Sequence, residues 1–307
     1  MASKCMREED PTLLEFKSRI CMHSIKDTNV CWITAMVFYQ PCSIYVTDYN
    51  NKALKMANTS FNKLSDRISL DGHPWDITGM FHDTVAVTLP NEKRIQLVDV
   101  TAKGWRIKRT LRFDKQYWGI GHCKPNFIVS SLSPPALHVM NRQGEVLKTI
   151  RKNDRDEEIF RRPMFIQTNY TSIVVSDRDK KAVIVLDLNC KVQNYYRTNS
   201  DPRIVALAEG GSNADPRGVA LAEGGSNADP RGVALAEGGS MFVSTINGNE
   251  KNVIAISKKG SQRFVKLDSL DDPYALSYFF QGRELFASSY SEIAKLDNYV
   301  YMYKRCD

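Results

Sequence analysis

The chain has 307 residues, of which 42% are apolar and 25% charged, with a formal net charge of +7, a balance ordinary for a folded domain. No run approaches the 18 or more apolar residues of a membrane span, and Met1–Asp10 lacks the apolar stretch of a secretory signal, so the sequence predicts a cytoplasmic protein with no membrane partner. Cys5, Cys21, Cys31, Cys42, Cys123, Cys190 and Cys306 are odd in number and never spaced as CxxC, which predicts reduced thiols, no disulfide-linked partner and no zinc site; Asn58-Thr59-Ser60 and Asn169-Tyr170-Thr171 are then chance acceptor tripeptides.

Residues 1–13 read as unstructured. Phe16–Ile25 alternates well enough for one strand. Ile44-Tyr45-Val46-Thr47-Asp48 is a β-branched and aromatic run ending in small polar residues, which suits a strand closing into a turn. The phrase returns as Val85–Leu89, Phe127–Ser131, Ile173–Asp177, Met241–Thr245 and Leu285–Ser289, at intervals of about 41, 42, 46, 68 and 44 residues. Six copies at that period predict an all-β fold, a six-bladed β-propeller spanning 14–305.

Within the second blade, Pro74–Thr78 is expected innermost, then Thr84–Thr88, Arg94–Asp99 and the outer strand Trp105–Phe113. The third uses Tyr117–His122, Phe127–Ser131, Ala136–Asn141 and Val146–Arg151; the fourth uses Met164–Gln167, Ile173–Asp177, Ala182–Leu188 and Val192–Arg197. The Lys and Arg residues of Trp105–Phe113 suit edge protection better than a nucleic-acid patch. The long interval has a local cause: Arg203–Pro216 is followed by a near copy, Arg217–Pro230, and a partial third, Arg231–Ser240. A triplicated insert of about 14 residues per copy is too short for another blade. The third copy is the one joined to Met241–Thr245 by a short Glu-Gly-Gly-Ser turn, and looping out the others costs only about 1 kcal/mol. After Leu285–Ser289 one further strand, Tyr299–Tyr303, leaves the sixth blade one strand short, so Phe16–Ile25 is expected to pair with it and close the ring.

Asn29–Met36, Ile44–Lys55, Pro74–Thr78, Tyr117–Ile120, Val146–Ile150 and Lys295–Lys304, in that order and spacing, resemble the C-terminal NHL-type propeller of molluscan tripartite-motif (TRIM-like) proteins. The resemblance implies a module that selects a protein target in a ubiquitination pathway, with an innate-defence setting; it also leaves room for an RNA stem-loop as partner, since some NHL propellers bind RNA. The RING, B-box and coiled-coil modules that usually precede it have no counterpart in the residues, neither a Cys/His array with zinc spacing nor a heptad run, so ligase activity does not carry over to this polypeptide and no enzyme is predicted.

Loops joining an outer strand to the next inner strand share a face with loops between second and third strands. On that face the sequence places Tyr49, Asn51, Lys52, His73, Trp75, Lys93, Arg94, Tyr117, Trp118, Arg161, Arg162, Arg178, Lys180, Lys181 and Tyr274. Cations interleaved with aromatics suit looped RNA, and Tyr, Trp and Arg equally suit a protein hot spot; Trp75 and Trp118 also suit packing between blades. Asp48 and Asp177 invite a calcium or zinc reading and hence a lactonase-type hydrolase, but Leu89, Ser131, Thr245 and Ser289 stand at the matching positions, and an Asp capping its own turn is the simpler account. No cofactor is predicted, and His73, His122 and His138 have no nucleophile motif beside them.

Overall fold

The computed structural model describes residues 14–40, 42–80, 83–169, 171–197, 229–236, 240–247, 250–256, 262–265, 267–270, 273–279, 281–289 and 298–305. The stretch 1–13 and residues 203–228 of the repeated segment lie outside the described residues. Among the described ones every regular element is a strand.

The first strand, β1 (Leu14–Cys21), stands apart from its neighbours in sequence. Blade 1 is β2 (Ile33–Gln40), β3 (Ser43–Asp48), β4 (Ala53–Asn58) and β5 (Lys63–Ser69), and blade 2 is β6 (Ile77–Gly79), β7 (Thr84–Leu89), β8 (Arg94–Thr101) and β9 (Gly104–Arg112). Blade 3 is β10 (Ile120–Cys123), β11 (Asn126–Leu132), β12 (Pro135–Met140) and β13 (Val146–Ile150), and blade 4 is β14 (Pro163–Thr168), β15 (Ser172–Asp177), β16 (Ala182–Asp187) and β17 (Val192–Arg197). Blade 5 is β18 (Asp229–Ala236), β19 (Ser240–Asn247), β20 (Glu250–Ile256) and β21 (Gln262–Val265). Blade 6 joins β22 (Pro273–Phe279), β23 (Glu284–Ser289) and β24 (Tyr299–Arg305) to β1 on its outer side. The inner strands pack round an axis, β2 on β6, β6 on β10, β10 on β14, β18 on β22, and β22 back on β2. The protein is a six-bladed β-propeller.

Closure follows the expected pairing, with Phe16 opposite Tyr303 and Cys21 opposite Tyr299. The strand is displaced from the expected Phe16–Ile25: it begins at Leu14 and stops at Cys21. Beyond it Met22 N–H donates to Asn298 O at 2.7 Å and the Asp27 carboxylate takes Ser24 N–H at 2.7 Å, which turns the chain toward blade 1. In blade 5 the inner strand is Asp229–Ala236, with Val233 opposite Val243.

Each second strand is buried on both faces because neighbouring blades cover both sides of its sheet; β3 and β7 are buried along their whole lengths. That explains why the recurring phrase is continuously apolar rather than alternating. Its exception is the fourth position: Thr47, Thr88, Ser130, Ser176, Ser244 and Ser288 are each 0% exposed. Their hydroxyls sit where the inner strand bulges. Thr88 Oγ1 accepts Asp76 N–H at 3.1 Å and donates to Trp118 O of blade 3 at 2.6 Å. Ser288 Oγ accepts Ala275 N–H at 3.0 Å and donates to Ile33 O of blade 1 at 3.3 Å. Ser244 Oγ donates to Tyr274 O of blade 6 at 2.8 Å. In blade 1 the link runs through Thr47 and Thr34, whose hydroxyls meet at 2.9 Å, and Thr34 Oγ1 donates to Pro74 O at 3.2 Å. The bulge also starts the regular inner strands later than expected, at Ile77 and Ile120 in place of Pro74 and Tyr117, because Trp75 and Asp76 pair irregularly with Thr88, and Trp118 and Gly119 with Ser130.

On the axis, Asp76 is 1% exposed. Its Oδ1 accepts Ile77 N–H at 2.9 Å, and its Oδ2 accepts Ile120 N–H at 2.9 Å and Ile166 N–H at 3.3 Å. One carboxyl group thus takes unpaired edge donors from blades 2, 3 and 4. Gly119 lets those strands approach: a Cβ there would lie 2.9 Å from Ile166 N. Burial pushes the Asp76 carboxyl up to about 7, against the three N–H groups that draw it down.

Two outcomes follow. Thr88→Val keeps the shape but orphans the buried Asp76 N–H and Trp118 O, so urea unfolding should register a loss of about 2–4 kcal/mol, while Thr88→Ser should lose about 1 kcal/mol for its missing methyl. Because the folded-state carboxyl of Asp76 is raised, its contribution is greatest in acid and is lost as pH rises from about 4 toward 7. Melting temperatures of wild type relative to Asp76→Asn should therefore fall across that interval; a pH-independent difference would contradict a protonated Asp76.

Candidate functional site

The candidate face begins with its turns. The β3–β4, β7–β8 and β15–β16 connections are each closed by a backbone bond, Lys52 N–H to Tyr49 O at 3.3 Å, Lys93 N–H to Pro90 O at 3.0 Å and Lys181 N–H to Arg178 O at 3.0 Å. Each ends on a lysine in the left-handed region, with φ of 47° at Lys52, 54° at Lys93 and 51° at Lys181. Asp48 and Asp177 do more than cap these turns. Asp48 Oδ1 accepts Trp32 N–H at 3.1 Å from the incoming inter-blade segment, and Asp177 accepts Arg161 N–H at 2.7 Å and Arg162 N–H at 2.9 Å. One carboxylate thereby fixes both loops that make up the face.

The aromatic residues form a connected group at the starts of the inner strands. Tyr49 lies 4.6 Å from both Trp32 and His73 between ring centroids, and 6.2 Å from Trp75. Trp32 meets Trp75 at 6.3 Å and 81°, and Trp75 meets Trp118 at 5.1 Å and 82°. Beneath them Phe165 stacks on Trp75 at 5.3 Å and 22°. His73 is held by its Nδ1 against Tyr49 O at 2.9 Å, and Asn91 donates to the Tyr49 hydroxyl at 3.0 Å.

Two expected face residues are interior. Tyr117 is 2% exposed, wedged between Phe113 at 4.9 Å and His138 at 5.6 Å, and Tyr274 is 1% exposed beneath Trp32 at 6.1 Å. They pack; they do not present a surface. Lys52, Lys93, Arg161 and Lys181 are exposed, and Arg94, Arg162, Arg178 and Lys180 are half-buried. Arg94 is 3.8 Å from Asp71, and Lys180 Nζ donates to Glu158 O at 2.6 Å, with burial lowering its pKa. In the outer strand of blade 2, Arg106 and Lys108 reach Asp99 at 3.2 and 2.9 Å, whereas Arg112 stands directly opposite Arg94.

Trp32, Phe165, Asp76 and Lys55 were not singled out from the sequence as site residues. Lys55 is 0% exposed; its Nζ lies 2.5 Å from Asp27 Oδ2, 2.6 Å from Asp48 Oδ2, 2.9 Å from Met22 O and 3.3 Å from Cys31 Sγ. Arg67 Nε adds a bond to Asp27 at 3.0 Å. Burial would raise Asp27, but Lys55 and Arg67 hold it low; burial and the Asp48 carboxylate push the Cys31 thiol well up. Asp27, Cys31 and Asp48 have the spacing of metal ligands, their donor atoms within 4.8 Å of one another, yet the ammonium of Lys55 stands among them and serves as the cation. The sequence signal was positional: Lys55, Gln96 and His138 are polar residues on buried third strands, each opposite a second-strand valine.

His138 Nε2 lies 3.1 Å from Ser131 Oγ, but that hydroxyl donates to Pro134 O at 2.7 Å. The imidazole must then donate to the serine and accept from Thr149 Oγ1 at 3.1 Å, the wrong direction for a base activating a nucleophile. Burial lowers its pKa to about 4. Cys21, Cys31, Cys42, Cys123 and Cys190 are free thiols, and among the described residues no helix is long and apolar enough to cross a membrane.

No protein-family model matches the chain, and no curated protein matches it. Solved structures do. A streptogramin B lyase aligns with a TM-score of 0.61 at 10% identity over 95% of this chain and 97% of its own. A catalytically inactive virginiamycin B lyase from Staphylococcus aureus with quinupristin gives 0.60 at 10% identity, covering 95% and 100%. The β-propeller domain of Cps50 (Swd1) from Myceliophteria thermophila gives 0.61 at 10% identity, again over 95% and 100%. At such identities the likeness establishes the shared propeller architecture.

Proposed function

We propose that this propeller is a non-catalytic recognition module whose aromatic and basic face binds a protein target. In line with the NHL and TRIM-like resemblance, we place that role in a cytoplasmic ubiquitination pathway with an innate-defence setting, where ligase chemistry comes from a separate module. The packing of the rings carries the choice of a protein over RNA. Trp75 is stacked on Phe165 and stands at right angles to Trp32 and Trp118. Single-stranded nucleic acid is held by bases lying on free aromatic faces, and here much of that area is spent on neighbouring rings. A rigid aromatic floor whose side chains are ordered before binding is what a protein hot spot uses.

RNA is the second reading, favoured by the exposed Lys52, Lys93, Arg161 and Lys181. A lactonase-type hydrolase is the third. The propeller neighbours include lyases and a domain named only for its fold, and architecture of this kind hosts unrelated functions. Against the hydrolase stands the internal cation Lys55 in the carboxylate cluster.

Affinity capture from cell lysate, with and without RNase, tests the reading. Captured proteins should persist after RNase and be depleted severalfold by Tyr49→Ala, with circular dichroism unchanged; loss on RNase treatment would transfer the role to RNA. Calcium and zinc titrations should leave the melting temperature where it is, and a saturable rise would support the metal-dependent enzyme instead.

A further inference from the structure

We infer that the segment bound on this face is a proline-rich stretch of the partner in the extended polyproline conformation, its carbonyls taking hydrogen bonds from the indoles of Trp75 and Trp118. This rests on the protein-recognition reading above and names the chemistry of the partner.

The observation that carries it is a set of buried polar atoms without partners. Trp75 Nε1, Trp118 Nε1, Arg162 Nε and Glu92 Oε2 are all buried and hydrogen-bond to nothing in the protein. A buried polar group left unpaired is costly and rare in a folded chain, and these four share one face. Trp75 and Trp118 stand at the entries to the inner strands of blades 2 and 3, their ring centroids 5.1 Å apart. Arg162 has in blade 4 the place that Trp32 has in blade 1. Each gives its N–H to the aspartate ending the second strand, at 3.1 Å for Trp32 and 2.9 Å for Arg162. Each accepts, through its carbonyl, the N–H of the residue after that aspartate, at 2.9 and 3.0 Å. Blades 1 and 4 are opposite in a ring of six, so the two indoles lie between those equivalent positions.

The chemistry of the set selects the ligand. Three of the four atoms are N–H donors, and an indole nitrogen can only donate. Glu92 Oε2, the acceptor, belongs to a carboxylate already bonded through its other oxygen to His73 N–H at 3.2 Å. A partner that satisfies the indoles must therefore bring acceptors. An ordinary peptide brings an N–H with every carbonyl, and each such donor would need an acceptor of its own on a floor of rings. Proline has no N–H, so a run of prolines offers carbonyls alone, in a left-handed extended helix without internal hydrogen bonds. Its apolar rings suit the half-buried rims of Trp32, Tyr49, His73, Trp75 and Trp118. Aromatic-lined grooves take such segments because the helix is formed before binding. Neither indole nitrogen is held by a bond in the protein, so a small tilt of each ring brings it to an incoming carbonyl without breaking one.

Heteronuclear magnetic resonance on the isotope-labelled full chain tests this, since each indole N–H gives its own signal and the chain has four tryptophans. The probes are an acetylated and amidated decaproline, a peptide of the same length with every second proline replaced by alanine, and a single-stranded oligouridine. Decaproline should move the Trp75 and Trp118 indole signals downfield in a saturable way. The signal of Trp105, which stacks on Tyr45 at 5.5 Å in the interior of the blades, should stay in place. The alanine peptide should bind about fivefold or more weakly, because its restored N–H groups are left without acceptors. Trp75→Phe and Trp118→Phe, which keep a ring and remove the donor, should each weaken decaproline severalfold and leave the alanine peptide little changed. The wild-type titration needs no variant to fold. Unmoved Trp75 and Trp118 signals, equal affinity for the two peptides, or no binding of decaproline would overturn the inference while leaving the face as a protein site, which RNase-resistant capture tests separately. Oligouridine displacing decaproline from the two indoles would overturn both.

Discussion

Six buried hydroxyls set the geometry of this molecule. Two of them do two things at once, satisfying an inner-strand amide left over by a bulge and reaching the main chain of the next blade. They are Thr88, between Asp76 N–H and Trp118 O, and Ser288, between Ala275 N–H and Ile33 O. A propeller blade packs on its neighbours mainly through apolar side chains, which attract without specifying direction. A hydrogen bond from one blade to the next adds direction. It fixes how far each sheet is rotated and slid relative to the one before it, and it does so where the chain enters each blade, beside the axis. The aromatic floor of the face grows from the same residues, since Trp75, Trp118 and Tyr274 adjoin or carry the atoms being joined.

How much of this could be read from residues alone varied with the physical cause. The second strands were legible because burial on both sides selects a continuous apolar run, and because the hydroxyl at the fourth place repeats. The starts of the inner strands of blades 2 and 3 were displaced by three residues, past Trp75 and Trp118, since a bulge keeps the extended look of a strand while breaking its ladder. Loop membership of the face could be inferred from topology, but depth could not: Tyr117 and Tyr274 have the same residue type and place as surface candidates and are interior because Phe113, His138 and Trp32 cover them. Lys55 was hidden for the opposite reason. A lysine near a turn looks solvated until two carboxylates from segments 28 and 7 residues away are found around it.

Charge is handled in opposite ways inside and outside. The interior pairs its ions, with Lys55 and Arg67 against Asp27 and Asp48, and removal of one partner from such a set leaves an uncompensated buried charge. Asp76 is held differently, its hydrogen bonds coming from the amides of Ile77, Ile120 and Ile166. The exterior rim leaves Lys52 and Lys93 in solvent and sets Arg94 against Arg112.

The pairing of Leu14 with Arg305 also fixes where these two strand ends lie. β1 runs toward the candidate face and feeds β2 there, so its start, and with it the finish of β24, lies at the far side of the disc. Leu14 and Arg305 therefore sit side by side behind the ring, on the side away from the candidate face.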